Sequence, residues 1–157
     1  MGSDRGEVVI IGGRNRSEWR RTEMRIRNCH ERVISATPAQ LAGLVSDFEA
    51  IWPAQPAPRP LGDRRYDTSS MIWEEFDRPG AVRAFRVTFP EELRVQHWFE
   101  VQPHDGGTLL RHTVEGEAFG QAEALWRDRI EPDHDPFLEA LFDKIEAAVA
   151  QNPDQHE

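Results

Sequence analysis

Between Ser70 and Ala118 three successive stretches alternate apolar and polar residues, and a helical pattern then takes over and runs to about Gln151. A period of two makes a strand with one dry face, and a period of 3.6 makes an amphipathic helix. A strongly bent antiparallel sheet that must cover one such helix tends to enclose a cavity. The order of elements therefore points to a shell around a small molecule.

In the first stretch Phe85, Val87 and Phe89 share one face, with Arg83, Arg86 and Thr88 among the more polar positions. The second, Leu93 to Gln102, places Leu93, Val95, His97, Phe99 and Val101 opposite Arg94, Gln96, Trp98, Glu100 and Gln102. Pro90-Glu91-Glu92 forms the connection, since proline suits a turn and cannot donate to a ladder. The third stretch, Thr108 to Ala118, follows the turn His104-Asp105-Gly106-Gly107 and presents Leu110, His112, Val114, Gly116 and Ala118 on one side. A fourth strand, Met71 to Phe76, precedes them and ends at Asp77-Arg78-Pro79-Gly80.

Upstream, Met24 to Ala36 is extended in character. Thr37-Pro38 then reads as an N-cap and first helical position. A short helix through Leu41, Leu44 and Val45 should stop near Asp47, and a second turn should cover Phe48 to Trp52. Pro53, Pro56, Pro58 and Pro60 are expected to exclude regular structure, leaving Ala54 to Asp67 as a pocket lid or a passive crossover. Downstream, Phe137, Leu138, Leu141, Phe142, Ile145, Ala148 and Val149 form one apolar stripe, with Asp135 and Pro136 as the expected cap and first position. Gln121 to Glu131 carries Leu125, Trp126 and Ile130 on a similar face. Both one helix kinked at Pro132 and two separate helices fit this pattern.

The 157 residues suit one domain, expected over 24–151, with a tail over 152–157. Residues 1–27 carry seven arginines and four acidic residues, a charge of +3 against −12 for the rest, so 1–23 is expected to be a disordered or artificial extension; the alternative is a basic arm for an acidic partner. Within it, Val8-Val9-Ile10-Ile11-Gly12-Gly13 resembles the start of a dinucleotide site, but Arg14-Asn15-Arg16 breaks the glycine spacing and no βαβ units follow. The net charge of −9 argues against general nucleic-acid binding. No apolar run approaches membrane-spanning length and no signal peptide is evident, so a cytoplasmic location is expected. Cys29 is the single cysteine and cannot form an internal disulfide. Arginine outnumbers lysine 18 to 1, as in a bacterial GC-rich genome.

The succession of extended Arg25 to Ala36, the step Ala36-Thr37-Pro38-Ala39-Gln40-Leu41, the turn from Asp47 to Trp52, the meander and the closing helix resembles the START-like superfamily. The likeness is to its SRPBCC or polyketide cyclase/dehydrase branch and spans about residues 25–150. It implies an α+β helix-grip fold, a curved antiparallel sheet wrapped around a long C-terminal helix, with two short helices after the first strand. It also implies a deep hydrophobic pocket, and no universal catalytic motif.

By position, the resemblance places Trp73, Phe85, Val87, Val95, His97, Phe99, His112, Val114, Trp126, Phe137 and Leu141 around a ligand, although each could equally fill the core. If Val101 pairs with Leu110, His97 and His112 become diagonal neighbours within reach of a shared ligand or water. Either could exchange protons, or either could be a buried, hydrogen-bonded imidazole without chemistry. Glu115 and Glu117 would face away from this pair, so no metal is expected, and no cofactor. Arg127 or Arg129 could meet an anionic group at the pocket mouth. His134, between Asp133 and Asp135, should have its protonated form stabilised. The expected function is a carrier or sensor for a small hydrophobic, aromatic, lipid or polyketide-like molecule. The alternatives are a cyclase or dehydrase using a pocket histidine, and an interaction domain with a closed interior. The sequence leaves a homodimer open.

Overall fold

A computed structural model describes residues 23–152. The extension and its Val8–Gly13 motif lie outside the described residues, apart from Glu23, which opens the first strand. Seven strands, β1 (Glu23–Ile34), β2 (Arg59–Gly62), β3 (Arg65–Asp67), β4 (Ile72–Phe76), β5 (Arg83–Phe89), β6 (Leu93–His104) and β7 (Gly107–Phe119), form one antiparallel sheet in the order β1-β7-β6-β5-β4-β3-β2. The β6–β7 register pairs Val101 with Leu110, Phe99 with His112 and His97 with Val114, as the turn sequence led us to expect.

Two short helices, α1 (Pro38–Val45) and α2 (Phe48–Ile51), follow β1. Thr37 caps α1 through a reciprocal box: its hydroxyl accepts from the Gln40 amide, and its own amide donates to the Gln40 side chain at 2.9 Å. Both partners satisfy amides that the first turn leaves free. Thr37→Ala is expected to cost about 1 kcal/mol, read as a lower urea midpoint at unchanged slope; an unchanged midpoint would discount the box.

The proline-rich segment departs from expectation. Pro60 sits within β2, paired opposite Tyr66. Regular structure survives because β2 is the outermost strand, where a missing amide leaves no neighbour unsatisfied. No residue of 54–67 lines the main cavity, so the segment extends the sheet and does not cover the pocket.

The C-terminal helix also differs. α3 (Gln121–Leu125), a π-helical turn (Trp126–Ile130) and α4 (Glu131–Gln151) run without a break. The Glu131 amide reaches back five residues to the Trp126 carbonyl, and the Trp126 indole donates to Glu131 at 2.8 Å. This wide turn re-registers the ladder before Pro132, whose ring would crowd a carbonyl in continuous α-helix. Asp135 and Pro136 therefore do not begin a helix; Pro136 lies inside α4, and the Asp135 carboxylate is engaged by β1.

The sheet packs on the helices through three apolar clusters. Ile34, Leu41, Val45, Ile51, Phe99, Leu110, Leu138, Leu141, Phe142 and Ile145 seal one end. Met24, Ile26, Leu93, Val95, Val114, Ala118, Ala122 and Trp126 close the other, and Phe48, Trp73 and Phe85 hold the β4–β5 side. Arg83 locks this third cluster, bonding Glu75 at 2.6 Å and the Tyr66 hydroxyl at 3.1 Å while its guanidinium lies 4.0 Å from the Phe48 ring. On the outer face Trp98 is buried at 6% exposure, although its strand position is a polar one. The Arg78 guanidinium covers it at 3.6 Å, and Glu100 accepts from its indole. No helix among the described residues is long and apolar enough to cross a membrane.

Candidate functional site

Between the three clusters, side chains of β4 to β7, of α2 and of the helical run from Leu125 to Leu141 leave a gap. The gap is a cavity of about 410 Å³. Trp73, Val87, Val95, His97, Phe99, His112, Val114, Trp126, Phe137 and Leu141 all line it. Phe85 does not. It is fully buried one layer behind, stacked on His97 at 5.2 Å and on Phe48 at 5.4 Å, and so belongs to the core.

The wall also includes Phe48, Trp52, Met71, Leu93, Leu125, Ile130 and Leu138, which sequence reasoning did not select. Phe48 opens α2 and Trp52 follows its last residue, and this single turn gives no periodicity by which to choose an inner face. Ser70, Arg129 and Asp133 are exposed and form a polar rim. Arg129 thus reaches the mouth, whereas Arg127 is exposed and paired with Asp128 at 3.3 Å.

Among the described residues the buried polar side chains are His30, His97 and His112 with Asn28, Thr108 and Thr113, and of these only His97 and His112 line the cavity. His97 and His112 touch directly, Nδ1 to Nε2 at 3.3 Å, closer than the diagonal strand positions alone require. His134 of α4 lies 5.6 Å from the His112 ring, and His30 of β1 lies 5.8 Å from the His134 ring. Four histidines thus line up from the cavity floor to the β1–α4 seam. Sequence reasoning does not single out His30, although β1 carries a signal: its inward row Met24, Ile26, Asn28, His30 turns polar midway on a buried face.

The inner three are held neutral. Burial, with His134 nearby, pushes the His97 imidazole down to about 3. Burial, followed by the repulsion of His97, His134 and His30, takes His112 well below its ordinary value. For His134 burial and His30 outweigh the attraction of Asp135, which does favour the protonated form, and bring it down to about 4, against the rise its flanking aspartates led us to expect. Buried nitrogens remain without hydrogen-bond partners: Nε2 of His97, Nδ1 of His112, Nδ1 of His134 and Nε1 of Trp73. Such atoms cost free energy unless something with donors or acceptors meets them.

Neither a family model nor a curated protein sequence matches this chain. Solved structures do match in fold. A START superfamily protein from Mycobacterium smegmatis covers 81% of this chain and 97% of its own length at 18% identity, with a TM-score of 0.54. The protein TTHA0849 from Thermus thermophilus covers 80% and 98% at 19% identity with a TM-score of 0.56. Ara h 8.0201 covers 82% and 99% at 17% identity with a TM-score of 0.54. The chain has the START-like helix-grip fold, as its succession of elements implied.

Proposed function

We propose that this START-like shell binds one small hydrophobic molecule in its internal cavity, as a carrier or sensor. The observation that carries the reading is the cavity itself: about 410 Å³, walled mainly by aliphatic and aromatic side chains, with unpartnered nitrogens at its polar edge. That volume falls in the usual range for ligand pockets of about 300–1,000 Å³. The unpartnered indole and imidazole nitrogens favour cargo with a hydroxyl or carbonyl on an otherwise apolar, aromatic skeleton. Trp52, Trp73, Phe99 and Trp126 supply the faces for such rings.

A second reading, a cyclase or dehydrase, rests on the same His97–His112 pair. Proton transfer works best when the group titrates near the operating pH, and an imidazole pushed down to about 3 is a weak base at neutrality and is hardly ever protonated there. The carrier reading therefore ranks first. Cargo that displaces water and hydrogen-bonds the pair could restore its basicity, which keeps the enzyme reading testable by turnover of whatever is found bound.

Native mass spectrometry of the purified full chain, with extraction of co-purifying molecules, is the direct test. One apolar compound per chain is expected. A fluorescent anilinonaphthalene sulfonate probe should bind at one site, and Leu125→Trp, which puts an indole into the space, should weaken it at least about 10-fold with Tm preserved. A chain that carries nothing and binds no probe would overturn the proposal in favour of a filled interior.

A further inference from the structure

A cluster at the seam between β1 and α4 is unexplained by hydrophobic cargo. A ring nitrogen of His30, a ring nitrogen of His134 and a carboxylate oxygen of Asp135 all lie within 4.8 Å of one another. His30 Nε2 is 2.8 Å and His134 Nδ1 is 3.7 Å from the same oxygen, Oδ1 of Asp135. His134 Nδ1 is buried and has no hydrogen-bond partner, and the Asn28 Oδ1 beside the cluster is also buried without one. A buried imidazole nitrogen without a hydrogen-bond partner, set beside a carboxylate, is placed to meet a cation.

The surroundings hold these groups as outer-shell partners hold metal ligands. His30 places its other nitrogen, Nδ1, 3.2 Å from Glu139 Oε1, and Arg32 fixes Glu139 at 2.6 Å. With Nδ1 donating to Glu139, Nε2 is the nitrogen that ligates, the ion taking the place of the proton Nε2 shares with Asp135 and releasing it to water. Asn28 Nδ2 donates to Asp135 Oδ1 at 3.0 Å and orients the carboxylate. Around a tetrahedral ion with bonds of about 2.0–2.1 Å, donor atoms stand about 3.4 Å apart, so the His30–Asp135 contact need open by only about half an ångström.

We propose that His30, His134 and Asp135 form a binding site for a divalent first-row transition ion, for which Zn²⁺ is the probe. Two imidazoles and one carboxylate match the preferences of such ions and leave at least one coordination position open. His134 also lines the cavity, so a molecule held there could supply the remaining ligand. The expectation of no metal weighed His97 and His112 against Glu115 and Glu117, and the seam involves none of them. The inference does not depend on the carrier reading.

The test is isothermal titration of the full chain with Zn²⁺ near neutral pH after chelator treatment. One ion per chain with micromolar or tighter affinity is expected. Asp135→Asn and His134→Ala should each weaken it at least about 30-fold, and Glu139→Gln about 10-fold through His30. His104→Ala, on the exposed β6–β7 turn, should leave it unchanged. Because the Asp135 side chain is 50% exposed, Asp135→Asn should stay folded, which circular dichroism checks. With Cu²⁺ as a second probe, electron paramagnetic resonance should show coupling to two nitrogens. Failure to take up Zn²⁺, or uptake that Asp135→Asn and His134→Ala leave unaltered, would overturn the site.

Discussion

Acidifying the metal-free protein from about pH 7 to about pH 5 is expected to remove about 2 kcal/mol of folding stability through His97 alone. In the unfolded chain this imidazole titrates near 6.5, whereas burial holds it down to about 3 in the fold. Below the unfolded value the denatured chain therefore takes up a proton that the native chain refuses. Stability is complete above about pH 6.5 and is lost as pH falls toward about 3. His112, also buried and also shifted down, acts in the same direction. Asp135 and Glu139 reinforce the trend further down. Partial burial opposes them, but His30 with Asn28, and Arg32 with His30, hold both carboxyls below their ordinary values. Urea titrations over this range should show the decline. His97→Phe should flatten it by about 1.4 kcal/mol per pH unit, one proton's worth, since a phenyl ring can take the same place, stacked on Phe85 and edge-on to Trp73. An unchanged slope in that variant would show that His97 is solvated in the native protein.

Gly116→Ala should be at least as damaging, with a loss of about 4 kcal/mol or more, or failure to fold. Gly116 has φ of +156° in β7, between Ile26 of β1 and Val95 of β6. A Cβ there would lie 2.1 Å from the Arg94 carbonyl oxygen and 2.6 Å from the Val95 Cα, both backbone atoms in the middle of the sheet. No rotamer change relieves such an overlap, because the strands would have to part. The same substitution at Gly43, exposed in α1 with nothing within 4 Å of the added carbon, should be neutral or stabilise by up to about 1 kcal/mol. A Gly116→Ala protein within about 1 kcal/mol of the parent would mean that β7 can relax at this point.

These two sites show how unevenly the sequence discloses its structure. Gly116 sits on the inner row with Leu110, His112, Val114 and Ala118, a row visible from alternation alone, yet nothing in that alternation marks it as the place where β6 crowds the backbone. The His97–His112 pair was legible because β6 and β7 are joined by a tight turn, and a tight turn sets the register for the whole ladder. Phe85 was misplaced because period two shows which side of a strand a residue takes without showing whether the space beyond is empty or filled. Phe48 fills it. Asp135-Pro136 looked like a helix start because both residues favour one. The preceding π turn and the pull of His30 and Asn28 on the carboxylate outweighed that local preference.

From sequence alone come the strands of the meander, the capped α1, the apolar stripe of the last helix and the succession that marks a helix-grip fold. All of these follow from short-range periodicity and turn chemistry, which any ten neighbouring residues express. The cavity and the β1–α4 seam depend on the fold as a whole. His30 and Asp135 are 105 positions apart, and their 2.8 Å contact exists only because the tertiary fold lays α4 against β1.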